Sequence, residues 1–111
     1  MIVRNYPSFE EAIWSLTKNH QGYLIYKHEF PVGENVDYHY HKKAWEWIII
    51  NQGQVIVGLE DKEVSFNLNG KTIAIYLPKG KKHALRPLSA VRYWVLRNRP
   101  DRSIYVKKGG K

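Results

Sequence analysis

Residues 33–53 read GENVDYHYHKKAWEWIIINQG. Two of the five histidines, His39 and His41, stand one residue apart, and Glu46 follows between Trp45 and Trp47, with Gly33 and Gly53 closing the stretch. The remainder is largely aromatic and β-branched, the composition of strands. On a strand, residues i and i+2 face the same way. His39 and His41 therefore project together, and Tyr40 projects oppositely. Lys42-Lys43 lets the chain reverse, and an antiparallel return strand would set Glu46 across from the histidine pair, at cross-strand distance. Two imidazoles and a carboxylate that converge in an apolar interior form a metal constellation: imidazole suits Zn, Cu, Fe and Ni, and carboxylate also admits Mn. Without a cation, the buried carboxylate would stand unpaired at considerable cost.

Outward from this stretch, the strand pattern continues. YLIYKHEF (23–30), NVDYHYH (35–41), AWEWIII (44–50), QVIVGLE (54–60), EVSFNL (63–68), KTIAIYL (71–77), HALR (83–86), VRYWVLR (91–97) and SIYV (103–106) are short β-branched and aromatic segments. Gly, Pro, Asn or Asp separates most of them, and Asn69-Gly70 is the strongest hairpin signal. Segments of this length at this spacing predict an all-β sandwich or barrel. One helix is predicted, over about 9–18. Ser8 caps it, Glu11 stands at the capping-box position, and Phe9, Ala12, Ile13 and Leu16 fall on one apolar stripe.

The chain has 111 residues, of which 43% are hydrophobic, and no linker or repeat divides it. This is the size and composition of a single globular domain, 1–111, with the barrel over about 23–107. With no cysteine, disulfide frameworks, thiolate metal sites and cysteine nucleophiles are excluded. No apolar run approaches a membrane span and no h-region opens the sequence, so a cytoplasmic, membrane-free protein is expected. The net charge of +8 is concentrated late: residues 79–111 hold 11 Lys and Arg against Asp101 alone. Such asymmetry points to an anionic partner or to a solvated lysine-rich face. Nucleic acid ranks last, because the aromatics there alternate as core strands do and no recognition helix is visible.

A second cluster, PKGKKH (78–83), supplies His83 after a Pro/Gly turn. With it, the chain resembles the cupin superfamily, in the form of a small single-domain protein. Gly33-x5-His39-x-His41-x4-Glu46-x6-Gly53 fits the first cupin motif, G(X)5HXH(X)3–4E(X)6G, at every fixed position. Pro78-x-Gly80-x2-His83 fits the centre of the second, G(X)5PXG(X)2H(X)3N. Gly70 lies seven rather than five residues before Pro78, and Pro87 stands in place of the asparagine. These departures touch a turn and a strand end and remove no ligand. The resemblance implies a double-stranded β-helix, or jelly roll, and a divalent transition metal (Mn, Fe, Ni, Co, Cu or Zn) on His39, His41, Glu46 and His83. Two positions of an octahedral ion would stay open for water or substrate.

Alternation from Glu46 puts Ile48 and Ile50 toward the pocket and Trp45, Trp47 and Ile49 outward. The outer trio predicts an interface with a second copy in a homodimer, or a cover formed by the helix. Tyr26 and His28 share a strand face and are candidates for the pocket, His28 as a group that orients a ligand. On the last long strand, either Tyr93 and Val95 or Trp94 and Leu96 face inward. Lys79, Lys81 and Lys82 lead into His83 and, with Arg86, would draw an anionic ligand such as a phosphorylated sugar or a carboxylate. The expected function is that of a small metalloenzyme, such as an isomerase or dioxygenase, acting on a small polar molecule. The alternative is a non-catalytic domain that holds a small ligand in the same pocket, and the fold alone does not choose between them.

Overall fold

The computed structural model describes residues 1–30 and 35–106, at 26–30 for the backbone alone. The chain order is β1 (Ile2–Tyr6), α1 (Phe9–Asn19), β2 (Tyr23–Phe30), β3 (Val36–Tyr40), β4 (Glu46–Gln52), β5 (Gln54–Leu59), β6 (Lys62–Asn67), β7 (Thr72–Leu77), β8 (His83–Pro87), β9 (Val91–Arg97) and β10 (Ile104–Tyr105). The strands form two antiparallel sheets, ordered β1-β7-β4-β9-β2 and β10-β3-β8-β5-β6. This is the jelly roll that the sequence implied. Gly33 of the first motif lies outside the described residues.

Strand periodicity builds the core. Ile48, Ile50, Ile73, Ile75, Tyr93 and Val95 of the first sheet meet Val55, Val57 and Leu85 of the second, all nearly inaccessible. This settles the inward parity of β9 in favour of Tyr93 and Val95. Their neighbours Trp94 and Leu96 turn outward, where α1 covers them together with Trp47, Ile49 and Ala74. The helix forms where its capping signal placed it: Ser8 Oγ accepts from the Glu11 N–H at 3.2 Å. Ala12 and Leu16 are fully buried beneath it, and the Phe9 and Trp94 rings lie 3.9 Å apart. The outer face on which a homodimer was expected is thus roofed within one chain, and Trp47 is only 2% exposed. Leu16→Ala is expected to cost about 2–5 kcal/mol, the range for truncating a buried leucine, read as a lower denaturant midpoint. Because this packing lies outside the barrel, metal stoichiometry should stay unchanged.

Three expectations are corrected. β1 was not anticipated; it pairs with β7, Ile2 opposite Tyr76 through Tyr6 opposite Thr72, a long-range pairing that a five-residue segment with Arg4 and Asn5 at its centre does not advertise. Asn69-Gly70 does not join a hairpin, because β6 and β7 belong to different sheets. Leu68, 2% exposed, enters the core between them and draws the chain across the barrel, so the turn becomes a crossing. The two-residue hairpin is instead at Glu60-Asp61, joining Leu59 to its register partner Lys62. Finally, β3 and β4 are not a hairpin either: the 41–45 segment passes from one sheet to the other. Glu46 therefore approaches the histidines across the barrel interior rather than along a shared sheet.

Gly53 turns the chain between β4 and β5 with φ +101°, and a Cβ built there would lie 2.3 Å from the Ala90 carbonyl oxygen. The backbones touch at this corner, and no side chain fits between them.

Candidate metal centre

The second sheet brings the histidines together. His39 on β3 stands opposite His83 on β8 in register, and His41 follows just beyond the end of β3. Gly80 of the turn before β8 donates its N–H to the His41 carbonyl at 2.7 Å, which ties the two histidine-bearing segments end to end. The side chains of His39, His41 and His83 each offer a nitrogen within 4.8 Å of the others, and all three residues are at least nine-tenths buried.

The orientation of each ring follows from its hydrogen bond. Nδ1 of His39 donates to the Asp37 carbonyl at 2.8 Å, that of His41 to Arg102 at 3.1 Å, and that of His83 to Lys81 at 3.1 Å. A carbonyl oxygen only accepts, so each Nδ1 carries a proton, and in the neutral ring that leaves the Nε2 lone pair to face the site. Burial disfavours the charged form of two of these rings. It lowers His83 to about 4, with His39 nearby adding to the effect, and it lowers His39 as well.

Glu46 enters from the first sheet, 4% exposed. Its Oε2 is 3.5 Å from His41 Nε2 and its Oε1 3.6 Å from His83 Nε2. Both gaps are longer than an ordinary hydrogen bond. In the neutral rings they set acceptor against acceptor, and His41 Nε2 is buried without a hydrogen-bond partner. An orphaned acceptor among converging lone pairs and a carboxylate is an incomplete arrangement, which a cation would complete. The residues fit a metal of the borderline class that binds imidazole and carboxylate together.

The sequence reading missed Arg97. It lies opposite Glu46 on β9, donates from Nε to Glu46 Oε2 at 2.6 Å, and contacts the same oxygen through a second guanidinium nitrogen. The missing signal was the parity of β9: once Tyr93 and Val95 face inward, Arg97 follows them. Tyr93 is buried near Glu46, and burial, then that carboxylate, raise its phenol, which stays protonated. Also unanticipated was the support behind the 41–45 crossing. Asp101 accepts from the Lys43 and Ala44 N–H groups at 2.7 and 3.1 Å, and Asn98 Oδ1 accepts from Trp45 N–H at 2.9 Å. Those hydrogen bonds, Lys43 first, hold the Asp101 carboxyl below its ordinary range.

Lys79, Lys81 and Lys82 are all exposed on the turn into His83. Lys81 Nζ reaches Glu60 at 4.0 Å with both side chains well solvated, a pair worth little. The side chains of Tyr26 and His28 lie outside those described; the backbone register sets Tyr26 opposite the outward-facing Trp94.

No family model matches the sequence, and no curated protein matches it. Solved structures do share its fold. The capsular polysaccharide assembling protein CapF of Staphylococcus aureus superposes with a TM-score of 0.66 at 14% identity, over 78% of this chain and 27% of its own. A Lactobacillus farciminis oxalate decarboxylase in a formate complex gives 0.59 at 16% identity, over 94% of this chain and 30% of that one. KdgF from a Halomonas species gives 0.56 at 15% identity, over 77% of this chain and 94% of its own. The chain thus spans under a third of the length of the first two. These neighbours share the cupin jelly roll. Among the described residues, no helix is long and apolar enough to cross a membrane.

Proposed function

We propose that this cupin-fold chain holds one divalent transition metal on Nε2 of His39, His41 and His83 with a Glu46 oxygen as fourth ligand, and acts as a small metalloenzyme on a polar, anionic molecule. One observation carries the reading: three separate backbone carbonyls fix three imidazoles in the same tautomer, so that their lone pairs face a common, buried space. A bound metal would supply Lewis acidity toward a carbonyl or carboxylate oxygen. The chain's own part is to orient the donors, to hold the phenol of Tyr93 protonated on the inner wall, and to exclude bulk water. The exposed lysines 79, 81 and 82 would raise the local concentration of an anion, an effect screened over about 8 Å at physiological ionic strength. The cupin-fold neighbours include an oxalate decarboxylase crystallised with formate, which is consistent with a carboxylate-sized guest.

Titration of metal-free protein with Co2+ tests this directly. The expected result is one equivalent bound per chain, with visible d–d absorption of nitrogen and oxygen ligation. Sub-stoichiometric, featureless binding would overturn the reading. Turnover that vanishes with chelator marks an enzyme, whereas ligand binding without turnover marks a holding domain.

A further inference from the structure

The pair formed by Arg97 and Glu46 is at odds with a simple metal site, because a guanidinium occupies a carboxylate that the metal also needs. The guanidinium loads one oxygen of that carboxylate. Both contacts from Arg97 fall on Oε2, which also lies 3.5 Å from His41 Nε2, whereas Oε1 faces His83 Nε2 at 3.6 Å. The strand register sets the two residues side by side, since Glu46 and Arg97 are direct partners on β4 and β9. Just before β2, Gly22 lies so close to Arg97 that a Cβ there would stand 2.7 Å from its carbonyl oxygen.

We infer that Arg97 is a positioning residue that gives up metal affinity to gain capacity for a small chelating anion, such as a 2-hydroxycarboxylate. The inference rests on the metal reading above. By taking up Oε2, Arg97 biases Glu46 toward binding the ion through Oε1 alone, and one-oxygen attachment leaves an octahedral metal two further positions rather than one. Charge acts in the same direction. With the ligands deprotonated, as metal binding requires, three imidazoles, one carboxylate and one guanidinium sum to zero, so a divalent ion would bring two uncompensated positive charges into a buried space. Such a charge calls for an anionic partner in a low-dielectric setting. In the metal-free protein Arg97 compensates Glu46, and in the loaded one it repels the ion. Removing it therefore favours loading twice over.

The test compares the parent with Arg97→Gln and Arg97→Lys at pH 8. Co2+ affinity is read by competition with a chromophoric chelator, and glycolate and acetate binding by shifts in the Co2+ visible spectrum. In Arg97→Gln, Co2+ should bind about tenfold more tightly, glycolate about tenfold more weakly, and the preference for chelating glycolate over acetate should disappear; one charge a few ångströms away in a partly screened site is worth at least this much. Arg97→Lys keeps the charge and supports the buried carboxylate, so it serves should the glutamine variant fail to fold. It should hold Co2+ within about threefold of the parent while its glycolate preference narrows, because an ammonium lacks the planar fork. A merely structural arginine would weaken metal and anion together in Arg97→Gln. That outcome, or a glycolate preference unchanged in either variant, overturns the proposal. Failure of the parent to bind Co2+ overturns the metal reading and this inference together.

Discussion

His83→Ala is expected to abolish stoichiometric metal binding while leaving a folded barrel. Loss of a group that only orients a ligand costs about 10–100-fold in metal affinity, and removing a ligand itself should exceed that. Metal content after gel filtration, alongside an unchanged far-ultraviolet spectrum, is the measurement; retained stoichiometric metal would remove His83 from the ligand set. The same substitution should alter acid stability. In the unfolded chain an imidazole takes up its proton near pH 6.5, but in the fold His83 resists it until about pH 4. Between those values protons favour the unfolded chain, so stability falls as pH drops through this window and levels below it. At roughly 1.4 kcal/mol per unit of displacement, the metal-free parent should lose up to about 3 kcal/mol, and His83→Ala should show a visibly shallower slope. Denaturant midpoints from pH 7 to 4 report this. Metal binding to the parent should for the same reason persist to lower pH than an ordinary histidine site allows.

Gly53→Ala should be among the most damaging single changes in the chain, although it adds one methyl group at a turn. A positive φ costs a residue with a side chain about 1–2 kcal/mol, and here the methyl also meets the Ala90 carbonyl oxygen at 2.3 Å. That atom is backbone and cannot rotate away. Relief requires β9 to move at the end where Val91 enters the core, so a total of about 3 kcal/mol or more is expected. A thermal midpoint within a few degrees of the parent would mean that the corner is more compliant than its geometry implies.

Where the sequence reading held, it rested on local periodicity. The i, i+2 spacing of His39 and His41, the stripe from Phe9 to Leu16 and the Pro78–His83 turn each encode their geometry within a few residues. It failed where two remote segments decide the outcome. The HKKAWE stretch reads as a reversal onto the same sheet, yet Asp101 and Asn98 hold it as a crossing. Asn69-Gly70 reads as a hairpin, yet burial of Leu68 sends the chain across. Arg97 carried no local signal, because a basic residue ending a strand is ordinarily solvated. Its inward aim became legible only with the pairing of β9 against β4.

The bond from His41 to the Arg102 carbonyl spans 61 positions, and this sets an order of events during synthesis. When His83 has left the ribosome, all three imidazoles exist, but His41 has no carbonyl to fix its proton and the crossing has no Asp101 to hold it. Contacts of such separation form late, after the loop-closure entropy has been met. A nascent chain therefore offers passing ions only loose, adaptable imidazoles. The shaped set of imidazoles belongs only to a chain in which residue 102 has folded back onto residue 41.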